Sequence, residues 1–414
     1  MTGKLSSLLI LAPALLLGQG GGLPEDPPRH KLSVSSVLEP NSVLTGVILP
    51  RYDKDLRLLS VLRAKSVTLV GKDVLDGKAV NIRLYQADQR PSGRMELVRA
   101  RYDQVLGKVR ATGETKLVFD RMITTASGLI FIMDSAEGFL TGPVTTRISQ
   151  PPATVMNPRT LPFHTAVLLG TALLSPSLAA EPGSAPAHGA ADSATRADLR
   201  KVLEASAEAT RAATAFLESE DLLAQATPEG ITPPPVPQAL EVKPGPDDTV
   251  ISCDGGTYVD GNKGILVYLG NVTVSDPRFS MTGANELKIF FTKKPGKPGA
   301  KPAAPGKEDI KPGVLPKEDF EIERIVATGA VYFKQKPKDG EDPIEASGAV
   351  FTYDVKTEAI TLSGGQPWVR RGGLINRAKQ ANQTITIVNN TATFSPGGTE
   401  TILPGKDLQK TKLR

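Results

Sequence analysis

Three histidines, one cysteine and scattered carboxylates are the residues on which catalysis or metal binding in this 414-residue chain would have to rest. His30, His164 and His188 are far apart, and all fall in or near segments that read as leaders or linkers. Cys253 is alone, so no intramolecular disulfide and no cysteine-based metal site can form. It reads as a small packing or surface residue. Asp and Glu gather in polar turns such as "YDKD" (Tyr52–Asp55) and "YDVKTE" (Tyr353–Glu358), where a short carboxylate serves the turn itself. No nucleophile elbow, phosphate-binding loop, dinucleotide fingerprint or metal spacing is present in the sequence. No motif proposes the facing acidic pair that sugar chemistry needs. The expectation is a protein that is not an enzyme and uses no metal or cofactor. A net charge of +5, spread over both signs, is too weak to imply nucleic acid. The chemistry that remains is apolar: strands whose alternate side chains could bury hydrocarbon.

Those side chains sit on clean alternations. "AVNIRLYQAD" places Val80, Ile82 and Leu84 on one strand face, and "SGLIFIMD" offers Leu129 and Phe131. Farther on, the same reasoning selects Ile265, Val267, Leu269, Leu287, Ile289, Phe351, Ile360, Leu362, Ile385 and Ile387. Inward Ile and Leu make either an ordinary core or a trough for lipid, and alternation alone leaves both open.

The elements that must position them are short strands broken by Gly, Pro and Asp, which predicts an all-β chain with antiparallel pairing. One β block is expected over residues 30–148 and a second over 249–394. The second contains an internal echo: "TYVDGNKGILVYLGNVTV" from Thr257 and "TYDVKTEAITLSGGQPWV" from Thr352, each followed by a further strand. Leu199, Val202, Leu203, Ala209, Ala213, Phe216 and Leu217 recur at helical spacing, which predicts an amphipathic helix over 192–226. A Pro-rich linker follows at 227–248. A Lys/Pro-rich loop at 292–319 cannot pack a core; it reads either as a solvated insertion or as an attractant for anionic headgroups. Residues 395–414 read as a C-terminal tail. Two sequons, at Asn271 and Asn382, are accidental if the source is bacterial.

Two segments carry export grammar. Residues 1–23 hold Lys4 and the apolar run Leu8–Leu17, which suits a signal peptide or an N-terminal membrane anchor. A second leader lies inside the chain at 156–182, with Met156, Arg159, the run Ala166–Leu174 and a Ser-Leu-Ala-Ala exit. Its apolar core is too short to span a bilayer, so it is expected either to be cut after Ala180 or to lie on a membrane or domain surface.

The second block resembles LptA and the OstA-like domain of the lipopolysaccharide transport machinery. The resemblance rests on "GILVYLGNVTV", "MTGANELKIF", "IVATGAVYF", "ASGAVFTYDVKTEAITLSGG" and "INRAKQANQTITI". The first block is similar to LptC through "VILPRYDKDLRLLSVLRAKSVTL", "AVNIRLY" and "ITTASGLIFIMDSAEGFLTGPVTTRI". The resemblance implies two open β-jellyroll domains, joined here by the leader-like segment, the helix and Pro-rich linkers. It implies a periplasmic carrier, held to the inner membrane by the N-terminal segment, whose interior shields lipid A acyl chains. It also implies partners in other β-jellyroll transport proteins, met through strand edges. The competing expectation is an envelope scaffold that carries no lipid.

Overall fold

The computed structural model describes residues 39–149, 189–224, 245–293, 320–336, 342–388 and 391–403, apart from positions 54, 86–88 and 120–121; helix side chains are described from 197 to 219. The leader-like segments, the three histidines, most of the Pro-rich linker and of the Lys/Pro loop, and residues 404–414 lie outside the described residues. Eight strands come first: β1 (Val43–Tyr52), β2 (Leu58–Gly71), β3 (Val74–Tyr85), β4 (Pro91–Asp103), β5 (Lys108–Phe119), β6 (Met122–Ile132), β7 (Glu137–Thr141) and β8 (Val144–Ile148). Helix α1 (Gly189–Ala224) follows. The remaining strands are β9 (Thr249–Cys253), β10 (Gly256–Asp260), β11 (Ile265–Ser275), β12 (Phe279–Lys293), β13 (Phe320–Gln335), β14 (Ile344–Asp354), β15 (Ala359–Ser363), β16 (Trp368–Arg371), β17 (Leu374–Ala378), β18 (Thr384–Val388), β19 (Thr391–Phe394) and β20 (Thr399–Ile402). Among the described residues no helix is long and apolar enough to cross a membrane.

Every pairing is antiparallel, and most strands pair with their neighbours in sequence. Three of the hairpins share one construction. Asp103, Asp260 and Asp354 each end a strand, and each Oδ1 accepts from the following four-residue loop: two backbone N–H groups for Asp103 and for Asp260, and the backbone N–H and hydroxyl of Thr357 for Asp354. The echo seen in the sequence is thus a repeated hairpin, β10–β11 and β14–β15, with Asp260 opposite Ile265 and Asp354 opposite Ala359.

The long strands all break near their middles, and the breaks align. Pairing is interrupted at Gly113 in β5, between β7 and β8 at Gly142–Pro143, between β9 and β10 at Asp254–Gly255, at Gly270 in β11, at Gly283 in β12 and at Gly329 in β13. Gly113, Gly270, Gly283 and Gly329 all have positive φ, a conformation that spares glycine the Cβ clash. Bulges in register bend a sheet. The result is one sheet creased across its strands, with two leaves closed over a shared interior: an open, folded antiparallel sheet of the β-jellyroll kind.

The two β blocks are not separate bodies on a tether. β7 pairs with β10, and β8 pairs with β9, so the last strand of the first block is hydrogen-bonded to the first strand of the second. The sequence shows no sign of this, because edge pairing is made by backbone groups. The stretch expected to be a tail holds β20, which pairs with β17. Helix α1 starts at Gly189, three residues before the expected position. Its buried stripe of Val202, Ser206, Ala209, Ala213 and Phe216 lies over the outer face of the joint. Leu203, expected on that stripe, points into solvent, because residues 3.5 apart on average face the sheet and Leu203 falls off that line.

Candidate functional site

The interior between the leaves is built from two cross-strand rows. On one leaf, register partners run Leu62, Ile82, Met95, Leu117, Thr124, Thr146, Ile251, Val274, Met281, Phe333 and Ala346. On the other they run Val67, Gly77, Ala100, Ala111, Leu129, Leu140, Thr257, Tyr268, Leu287, Ala327, Phe351, Leu362 and Ile385. Both rows cross the joint without a gap. The leaves meet where Phe333 packs against Phe351, with ring centroids 5.6 Å apart. They meet again where the Tyr268 hydroxyl lies 3.1 Å from Thr146 Oγ1. Thr146 Oγ1 in turn lies 3.0 Å from Thr124 Oγ1, so the joint carries a short hydroxyl chain in an otherwise apolar interior. Burial pushes the Tyr268 phenol well above its usual range, with the Thr146 hydrogen bond opposing, so it stays neutral.

Most of the residues expected to line a trough come together here. Val80, Ile82, Leu84, Leu129, Phe131, Leu287, Ile289, Phe351, Leu362, Ile385 and Ile387 share one buried cluster, and Ile360 packs at its margin. Ile265, Val267 and Leu269 do not join them. They face the opposite way and form a second cluster with Phe139, Tyr258 and helix residues Ala209, Ala213 and Phe216. Within this run of β11 the inward members are Leu266 and Tyr268, and Val272 and Val274 follow beyond the break. The physical reason is that Ile265–Leu269 is apolar at every position, so alternation gives no phase; such a run marks a strand covered on both faces, which was the available signal for the helix.

The interior is densely packed. A cavity of about 10 Å³ lies among Leu62, Val67, Leu75, Gly77, Val80, Ala100, Tyr102 and Val109, about the space of one water. The small residues Gly77 and Ala100 are among those that line it.

The outer cover is held by more than apolar contact. Phe216 packs on Tyr258 with ring centroids 5.7 Å apart. Beneath the helix, Lys288 Nζ donates to Ser206 Oγ at 2.8 Å and meets Glu286 Oε2 at 2.7 Å. Glu286 also accepts from Thr210 and Thr328 hydroxyls. Among the described residues, no group of three or more His, Cys, Asp or Glu could hold a metal ion.

Comparison with known proteins falls on the second block. Residues 251–391 match the family described as the LptA/(LptD N-terminal domain) LPS transport protein. No curated protein matches the chain. Among solved structures, the chain is similar to LptH from Pseudomonas aeruginosa, the LptA-homologous periplasmic component of the lipopolysaccharide transport device. The identity is 17%, the alignment covers 38% of this chain and 94% of that one, and the TM-score is 0.27, too low to carry a structural argument.

Proposed function

We propose that this chain is a non-enzymatic lipopolysaccharide-transport protein of the periplasm, shielding lipid A acyl chains between the two leaves. The observation that carries this reading is the pair of cross-strand rows that run unbroken across the joint, apolar except for the hydroxyls of Thr124, Thr146, Thr257 and Tyr268 at the joint itself. The family match over residues 251–391 supplies the cargo class. An exposed acyl chain costs roughly 0.8 kcal/mol per CH₂, so about a dozen CH₂ groups demand continuous apolar cover. Val80, Ile82, Leu84, Leu129, Phe131, Leu287, Ile289, Phe351, Leu362, Ile385 and Ile387 would face the chains, with Leu266 and Tyr268 on β11. Because the interior is packed, loading would part the leaves while sugars and phosphates stay in water.

The remaining parts of the reading follow from the same design. Strand edges at β1, and at β19 and β20, have no second strand partner among the described residues, and would accept strands of further β-jellyroll transport proteins. The N-terminal segment would hold the chain at the inner membrane, and the segment at 156–182 would be cut after Ala180 or rest on a surface.

A scaffold without cargo is the second reading, favoured by the dense packing of the same interior. Titration of the full chain separates the two. Intact lipopolysaccharide is expected to bind saturably, and lipopolysaccharide stripped of acyl chains is not. Absence of saturable binding by the intact lipid would leave the scaffold standing.

A further inference from the structure

The leaves are continuous at the crease, so a cargo reaches the interior through an end of the fold or through the seam where the free rims of the leaves meet. On the reading that the interior carries lipid, we propose that acyl chains enter sideways through the seam of the first block, and that Arg51 and Asp134 form the latch that holds this entrance shut. Register puts the two residues on different leaves. Arg51 pairs with Ser60, one inward position past the Leu49–Leu62 pair, at the rim of the leaf that carries Leu62 and Ile82. Asp134 lies in the loop after β6, beyond the Lys108–Ile132 pair, at the rim of the leaf that carries Leu129 and Leu140. The Arg51 guanidinium nevertheless donates to Asp134 Oδ1. Gly107, in the loop between β4 and β5, lies against the pair: a Cβ there would stand 3.3 Å from Arg51 Nη2 and 3.3 Å from Asp134 Oδ2. The pairs Arg99–Asp76 and Lys334–Glu345, by contrast, each stay within one leaf.

Three observations set an entrance at this point. Alternation puts Arg51 in the inward phase of β1, after Val47 and Leu49, which pack on the interior; where an apolar side chain would seal the rim, the chain has a cation. Tyr102, on the opposite leaf, feels the Arg51 charge and lines the small cavity with Leu62, Val67 and Val80, so the one void described in the interior lies behind the pair. Strand β1 is also an edge, bonded to β2 alone among the described residues, and edge segments open before central ones. The lock itself is weak. The Arg51 and Asp134 side chains are 26% and 55% exposed, so on parting both charges turn to water at little cost. In the second block the leaves meet instead through Phe279, Phe333 and Phe351, whose rings lose hydrocarbon cover when they separate.

The test follows uptake of two probes by the full chain in a stopped-flow instrument: intact lipopolysaccharide, and N-phenyl-1-naphthylamine, an apolar dye that brightens on leaving water. Arg51→Gln and Asp134→Asn should each speed uptake of both about two- to fivefold, which is what an exposed ion pair is worth. The exchange of Arg51→Asp with Asp134→Arg restores the pair in reverse and should return the wild-type rate. A covalent lock gives the larger effect. In a Cys253→Ala background, Arg51→Cys and Asp134→Cys bridged by a short bis-maleimide should block uptake. The same bridge between Lys72→Cys and Val105→Cys ties two loops of one rim, already joined by the Gln104 N–H bond to the Asp73 carbonyl, and should leave uptake unchanged. Circular dichroism confirms folding of each protein. Uptake of both probes at the unbridged rate through the Arg51–Asp134 lock would overturn the entrance, whether or not lipopolysaccharide binds. Equal blocking by both bridges would overturn it in favour of general stiffening. Dye uptake that only the cross-leaf lock blocks, in a chain that binds no lipopolysaccharide, would uphold the entrance and remove the lipopolysaccharide reading alone.

Discussion

Cutting the charge pair under helix α1 should cost more from one side than from the other. Lys288 points outward from β12, between inward Leu287 and Ile289, and its side chain is 3% exposed; that of Glu286 is 25% exposed. Glu286→Gln removes the counter-charge and leaves a buried ammonium with Ser206 as its remaining partner among the described residues. Breaking a buried pair this way costs about 3–5 kcal/mol, and the partial exposure of Glu286 sets the expectation at the low end, about 3 kcal/mol. Lys288→Met keeps the stem and removes the charge. Glu286 then retains the Thr210 and Thr328 hydroxyls and some water, so the cost should be about 1–2 kcal/mol. The double variant replaces the pair by neutral groups of similar volume and should fall within about 1 kcal/mol of wild type. Urea unfolding of the four proteins gives the cycle, and amide exchange over residues 199–219 should show the helix opening first in Glu286→Gln. Equal single costs that simply add in the double variant would refute the buried-pair reasoning.

Three other expectations are cheaper to check. Tyr268→Phe removes the phenol that joins the leaves but leaves Thr146 bonded to Thr124, so thermal unfolding should show a loss of about 1 kcal/mol. Gly283→Ala sets a Cβ against the Ala330 carbonyl at positive φ and should cost more than about 3 kcal/mol; Gly113→Ala, also at positive φ but with open space around it, should cost about 1–2 kcal/mol. Asp276 is buried, which opposes its charge, yet Arg278 and Thr249 hold its carboxyl below the usual range. The stability this charge contributes is therefore full at neutral pH and lost as pH falls through the depressed value, so the gap between wild type and Asp276→Asn should be widest near pH 7 and narrow below about pH 4.

Alternation made much of the interior legible. Polar–apolar strands such as Val80–Leu84 leave one choice of inward face, and Leu287, Ile289, Ile385 and Ile387 follow the same rule. It failed at Ile265–Leu269, where both faces are covered and the pattern has no phase. The helical stripe was visible because Leu, Val, Ala and Phe recur at helical spacing, yet Ser206 on it and its docking site were not: Lys288 and Glu286 look like solvent residues until Ser206 and Thr210 are placed over them. The joint between β7/β8 and β9/β10 was invisible for a different reason, since backbone hydrogen bonds carry no side-chain signature. The crease lies between these cases. Its glycines were evident as breaks, but their alignment into one line depends on register, which hairpin lengths set.

The central claim is that the interior, and not the apolar outer patch, holds acyl chains. Photo-crosslinking amino acids at Ile385 and at Val267 test it in cells that make lipopolysaccharide. Ile385 faces the interior, and Val267 lies beneath α1. The expected result is a lipopolysaccharide adduct at Ile385 and none at Val267. No adduct at Ile385, or equal adducts at both positions, would contradict the account.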